Sequence, residues 1–296
     1  MKTYFAKKEC PNCHHKIDPA YLECPCCGHQ EDDPAIVRNF GLQLPTPFWK
    51  QIIFFLLGLA GFQLLGIVCS LIGETIVIAN HPGASKEELL ELLKAPDFSL
   101  GVNCSAYLIM AAAFGLILWK SWPKLLKSFK GWKPYVSALV GAFAIYALEI
   151  TWNMIANAIF TAAGITPQTN ANQNGIATMT LLSPVLCLFV FGLVGPFCEE
   201  LTYRAGLFSF LSRLGKPLAY TLTGIIFGLI HFGWSSLWNP AFTGQAIVEI
   251  VNLPPYIMAG IAFSILYDKF GFASSYLAHA FNNLVSLLLI IATKNA

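Results

Sequence analysis

The sequence predicts an all-α polytopic membrane helix bundle of about seven transmembrane helices, preceded by a small cysteine-rich module. Three observations carry that prediction. Of 296 residues, 56% are hydrophobic and only 11% charged; the mean hydropathy is +0.60, above what a soluble domain of this length carries. The apolar residues fall in long uncharged runs, such as the eighteen residues from Leu181 to Cys198. Lysine and arginine segregate between alternate connections, 15 on one side and 3 on the other, as cytosolic and outer loops do. A net charge of +2 leaves no electrostatic footprint for a nucleic-acid partner.

Residues 1–30 form the first element. They hold five of the nine cysteines, and two C-x2-C knuckles stand out: Cys10-Pro-Asn-Cys13 and Cys24-Pro-Cys-Cys27, followed by Gly28. Two such pairs supply four thiolates for a tetrahedral zinc ion, and four protein ligands leave no open position, so this zinc is structural. A redox C-x-x-C pair is the alternative, and the second knuckle weighs against it. Cys26, His14 and His29 are spare ligands. The module resembles the small zinc ribbons at the cytosolic ends of bacterial membrane proteins. It is too small to fold on its core alone, so the metal supplies its stability. Its expected role is to dock a cytosolic protein partner or to sense.

Residues 31–47, with Asp32, Asp33, Pro34, Pro45 and Pro47, read as a linker. No secretory signal precedes the first apolar run near Phe48, and residues 48–296 read as the transmembrane domain. Its seven apolar stretches cover roughly 48–79, 100–119, 134–163, 181–213, 217–232, 246–267 and 273–292. A span needs about 20 residues; the fifth and seventh are short, and the third and fourth are long enough to tilt or kink. The charge split puts the N-terminus in the cytosol and the C-terminus outside, in an integral protein of a bacterial plasma membrane. The basic loop Trp119–Trp132 reads as an ordinary loop with an aromatic belt, or as an interfacial helix on anionic headgroups. Cys69, Cys104, Cys187 and Cys198 read as small buried hydrophobes.

Few polar residues lie inside the bundle: Glu149, Glu199, Glu200, Arg204, His231, Glu249, His279, Asn282 and Asn283. A carboxylate at membrane depth costs about 3 kcal/mol on insertion scales, so the pair Glu199-Glu200 needs a reason. Glu200 and Arg204 stand at i, i+4 in the favourable order and should pair on one face. Glu199 points elsewhere and is the free carboxylate, a candidate general base. Pro196, one turn earlier beside Gly195, is expected to kink the helix and admit water. His279 and Asn283 share a face. If the fourth helix runs on to Arg213, Glu199 lies about 21 Å deep at 1.5 Å per residue, and His231 reaches a similar depth from Pro217. His279 and Asn283 come out shallower, so their level does not match.

Glu199-Glu200-x-x-x-Arg204, Phe227-x-x-x-His231 and His279-x-x-x-Asn283, in that order on successive segments, resemble the CPBP family, the type II CAAX prenyl and bacteriocin-processing (Abi) intramembrane proteases. The resemblance covers about residues 180–292. It implies hydrolysis of a peptide or membrane-protein substrate in a water-filled cavity within the bilayer. Glu199 and His231 would activate the water, His279 and Asn283 would form the oxyanion site, and Glu200 and Arg204 would brace the helix. A carboxylate with two histidines also suits an active-site zinc. No H-E-x-x-H is present, and glutamate-activated water accounts better for the asparagine. Two other classes compete: a non-catalytic immunity or scaffold protein with the same residues, and a proton-coupled transporter, which inverted repeats would favour.

Overall fold

The computed structural model describes residues 4–44, 46–166, 168–238 and 243–294. Lys2 of the charge pattern and Pro45 of the linker lie outside them. The chain opens with a two-stranded antiparallel ribbon, β1 (Lys8–Glu9) and β2 (Lys16–Ile17), in register Lys8 to Ile17. The stretch read as a linker contains a helix, α1 (Pro34–Phe40), because Asp33 accepts from Ala35 N at 2.8 Å and Pro34 fits the first turn.

Among the described residues six helices are long and apolar enough to cross a membrane. They are α2 (Phe48–Asn80), α4 (Pro96–Ile117), α6 (Lys133–Ala162), α8 (Pro184–Leu211), α10 (Thr243–Phe270) and α11 (Phe272–Lys294). Shorter helices join them: α3 (Lys86–Lys94), α5 (Trp122–Lys127), α7 (Ala171–Leu182) and α9 (Lys216–Leu229). The predicted fifth span is α9, whose 14 residues reach about 21 Å, less than the hydrocarbon core. It ends in tight turns, where His231 N donates to Gly228 O at 3.0 Å. The loop Trp119–Trp132 holds a 3-10 turn (Trp119–Ser121) and the six-residue α5; Trp119 and Trp132 are exposed, while Trp122 stacks on Phe197.

Helix α8 is the hub. Its most apolar window is 56% buried, against 11–33% for the other five spans, and it packs against α2, α4, α9, α10 and α11. Close approach needs small residues. A Cβ on Gly206 would lie 2.8 Å from Phe55 N of α2, and one on Gly260 of α10 would lie 3.0 Å from Gly224 Cα of α9. Helix α8 runs on to Leu211, as the depth argument for Glu199 required.

The ribbon is fastened to the end of that hub. Arg213 is fully buried; Nη2 donates to Asp18 Oδ1 at 2.9 Å, Nη1 to Tyr4 O at 2.8 Å and Nε to Gln51 Oε1 at 2.9 Å. Asp18 Oδ2 in turn accepts from Phe48 N at the start of α2, at 3.1 Å. The segment after α1 covers the α10–α11 turn: Leu44 N donates to Tyr267 Oη at 2.9 Å, and Gly271 makes the turn with a φ of +88°. Removing one partner of a buried ion pair costs about 3–5 kcal/mol. Arg213→Ala should therefore release the ribbon, and limited trypsinolysis of the full chain should cut near Arg38 faster than in wild type. Lys127→Ala, on the exposed basic loop, should leave that rate unchanged.

Candidate active site and metal centre

Pro196 shapes the hub. It has no N–H to donate, and the helix widens to π geometry over Val190–Val194 just before it. There Gly195 N donates to Val190 O, five residues back. The next bond in that register would run from Pro196 N to Phe191 O, which Pro196 cannot make. Asn283 Nδ2 fills the gap, donating to Phe191 O at 3.0 Å. Beside Pro196, where a kink is expected, the helix thus has a wide turn completed from α11. A second π segment, Leu201–Phe208, follows the glutamates; such bulges recur at functional sites.

Glu200 and Arg204 are both fully buried and pair at 3.0 Å between Oε1 and Nη1. The Arg204 guanidinium also lies 4.6 Å from the Phe227 ring centre and 5.1 Å from that of Phe263, and Nη2 donates to Gly260 O at 3.2 Å. Glu200 does more than pair with arginine. Its Oε1 is 2.8 Å from His279 Nδ1, and its Oε2 accepts from Ser275 Oγ. Ser275 was not singled out from the sequence, although it stands at i−4 from His279 on the Asn283 face. Stacking on Phe263, with ring centres 4.4 Å apart, fixes the His279 ring, and Nε2 then lies 3.7 Å from Glu199 Oε2.

Glu199 keeps partial access to the cavity, with its side chain 16% exposed. Its other oxygen accepts from Tyr107 Oη at 3.2 Å. Tyr107 belongs to α4, 92 residues away, and no local pattern marks it. His231 lies just past α9. Its Nδ1 donates to Phe227 O at 2.8 Å and its ring stacks on Tyr256 with centres 4.5 Å apart, so Nε2 is left as the acceptor in the neutral ring. Glu199, His231, His279 and Asn283 all line one cavity of about 330 Å³. The depth mismatch of His279 disappears because α11 starts inside the bundle: Phe272, its first residue, already packs on Phe197 with ring centres 6.3 Å apart.

In the ribbon the four sulfurs of Cys10, Cys13, Cys24 and Cys27 lie within 4.8 Å of one another. Cys10 to Cys27 and Cys13 to Cys24 are each 3.6 Å, close to the edge of about 3.8 Å of a tetrahedron with metal–sulfur bonds of about 2.3 Å. The knuckles are built alike. His14 N donates to Cys10 O and Gly28 N to Cys24 O, both at 2.9 Å, and each chain turns back through a positive φ, 57° at His14 and 74° at Gly28. The His29 backbone N–H, then the Asn12 side chain, hold the Cys27 thiol down at about 6, while the neighbouring thiols push Cys13 up. Cys26 is exposed and outside the cluster. Among the described residues no other histidine, cysteine and carboxylate atoms converge in this way; Glu199, His231 and His279 do not.

Burial separates the two glutamates in an experiment. Glu200→Gln leaves the Arg204 charge buried without its counter-ion and should lower stability by about 3–5 kcal/mol, read as thermal unfolding of the full chain in detergent. Glu199→Gln, partly exposed, should shift the same transition little.

Residues 181–285, a little over a third of the chain, match the family described as type II CAAX prenyl endopeptidase Rce1-like. An uncharacterized protein of Mycoplasma capricolum subsp. capricolum is 26% identical over 261 residues, 84% of this chain and 70% of its own length. No solved structure matches the chain. The match takes in α8, α9, α10 and part of α11, and leaves out the ribbon and Tyr107. Residues 181–285, which hold both glutamates, both histidines and Asn283, are therefore the part of this chain that is similar to the type II CAAX prenyl endopeptidase Rce1-like family.

Proposed function

We propose that this protein is an intramembrane endopeptidase that hydrolyses a peptide or membrane-protein substrate with water activated by Glu199 and His231. The observation that carries the reading is the convergence of Glu199, His231, His279 and Asn283 on one cavity walled by membrane helices. A water held between the Glu199 carboxylate and His231 Nε2 gives its proton to Glu199 and attacks the scissile carbonyl carbon. Tyr107 fixes the orientation of the carboxylate. The oxyanion is met by the Asn283 N–H not used on Phe191 and by His279 Nε2 when that ring is an imidazolium. Glu200, held by Arg204 and Ser275, keeps that ring in place. Glu199 then passes its proton to the leaving amine, the C–N bond breaks, and an acid and an amine are released. Such donors are each worth roughly 3 kcal/mol at the transition state.

The ribbon cysteines take structural zinc in this reading, supported by their spacing and by the paired knuckle turns. The ribbon faces the cytosol of a bacterial plasma membrane, supported by the 15 to 3 division of basic residues, and presents a surface to a cytosolic partner.

Removing a general base costs about 100-fold or more. Liposomes holding wild-type protein should cleave members of a quenched-fluorophore library of membrane-spanning peptides, and Glu199→Gln should lower kcat by at least that factor. Equal cleavage by both proteins would sink the assignment. For the metal, the full chain should carry about one zinc equivalent, and serine at Cys10, Cys13, Cys24 and Cys27 together should remove it. Zinc that stays near one equivalent in that variant would place it at the histidines instead.

A further inference from the structure

The same cavity holds a carboxylate that the hydrolytic step does not use. Glu149 sits on α6 between the exposed, apolar Leu148 and Ile150, and turns its carboxylate into the cavity. Among the described residues no lysine, arginine or histidine pairs with it. Its hydrogen-bonding neighbour is the side chain of Asn282 on α11. The Asn282 carbonyl oxygen Oδ1 is shielded from solvent and has no hydrogen-bond partner. Tyr146, one turn before Glu149, donates its hydroxyl to Asn282 O at 2.8 Å and so contributes no donor to this corner. The Asn282 amide N–H is thus the donor to the Glu149 carboxylate, and the carboxylate stands at the cavity without a cation. A carboxylate there is costly unless something answers it.

We propose that Glu149 and Asn282 form a specificity subsite for an ammonium or guanidinium group carried by the substrate peptide, a lysine or arginine side chain or a free amino terminus. The proposal rests on reading the cavity as a peptide site and adds what that peptide carries. Position supports it. Asn282 is three residues from His279, about 4.5 Å along the helix axis, and an extended peptide advances about 3.3–3.6 Å per residue. The cation thus falls within about two residues of the scissile bond. The neighbouring wall carries Asn153, Asn172 and Asn252, which suits a hydrated peptide better than a lipid chain. Glu149 is a specificity residue and takes no part in moving the proton.

The test uses the full chain in nanodiscs, in the Glu199→Gln form so that peptides are bound and not cut. The probes are fluorescent ten-residue apolar peptides. One is N-acetylated with a single lysine, one is N-acetylated with norleucine in its place, and one has norleucine and a free amino terminus. The acetylated lysine peptide, or the peptide with the free terminus, should bind about tenfold more tightly than acetylated norleucine, the scale of one hydrogen bond to a charged group. Whichever of the two binds tightly identifies the source of the cation. Adding Glu149→Gln should abolish the difference, and Glu149→Lys should transfer the preference to a glutamate peptide. With Glu199 intact, Glu149→Gln should raise KM for the preferred peptide while kcat holds. Equal binding of all three peptides, or a preference that survives Glu149→Gln, overturns the subsite. A preference that stands while wild type cuts nothing supports the subsite and counts against the hydrolytic reading alone.

Discussion

Arg204 has no contact with water, and its charge is answered by Glu200 at 3.0 Å and by the faces of Phe227 and Phe263. The other arrangements at the centre of the bundle depend on that pair. A lone guanidinium or carboxylate in this position would carry an uncompensated desolvation cost. Together they form a fixed anion whose second function is to grip His279 and Ser275. The ion pair therefore joins α8 to α11, and through the Gly260 carbonyl to α10. Glu199, one residue earlier and about 100° around the helix, faces the cavity.

The widened helix contributes in the same way. Pro196 removes one donor, the π turn shifts the register, and the Phe191 carbonyl loses its partner. Asn283 supplies the missing hydrogen bond, so a backbone defect on one helix fixes a side chain on another. The same asparagine lines the cavity with its remaining N–H. One residue thus satisfies the backbone and lines the cavity, and the irregular backbone is confined to a place where protein and a cavity surround it.

At the ribbon end, a second buried arginine repeats the principle. Arg213 is held by Asp18, Tyr4 and Gln51, and Asp18 also holds the first turn of α2. The cysteine ribbon and the hub helix share one network. The order of the ribbon is consequently tied to the position of α8, the helix that bears both glutamates.

The sequence by itself determined the helical membrane class, the cysteine quartet and the identity of the polar residues inside the bundle, because each is written in local spacing. Uncharged runs mark spans, two C-x2-C knuckles mark four ligands, and an i, i+4 acid and base mark a pair. It also set the Ser275–His279–Asn283 face, though only two of those residues stood out. Only the tertiary structure decided that the fifth apolar stretch is a 14-residue helix closed by tight turns, and that α1 and the residues after it cover the α10–α11 turn. It alone placed Tyr107 on Glu199, levelled His279 with Glu200, and gave Asn283 a carbonyl to satisfy. Each of these depends on where one helix begins relative to another. Such offsets come from packing across residues far apart in the chain, and helical periodicity holds no record of them.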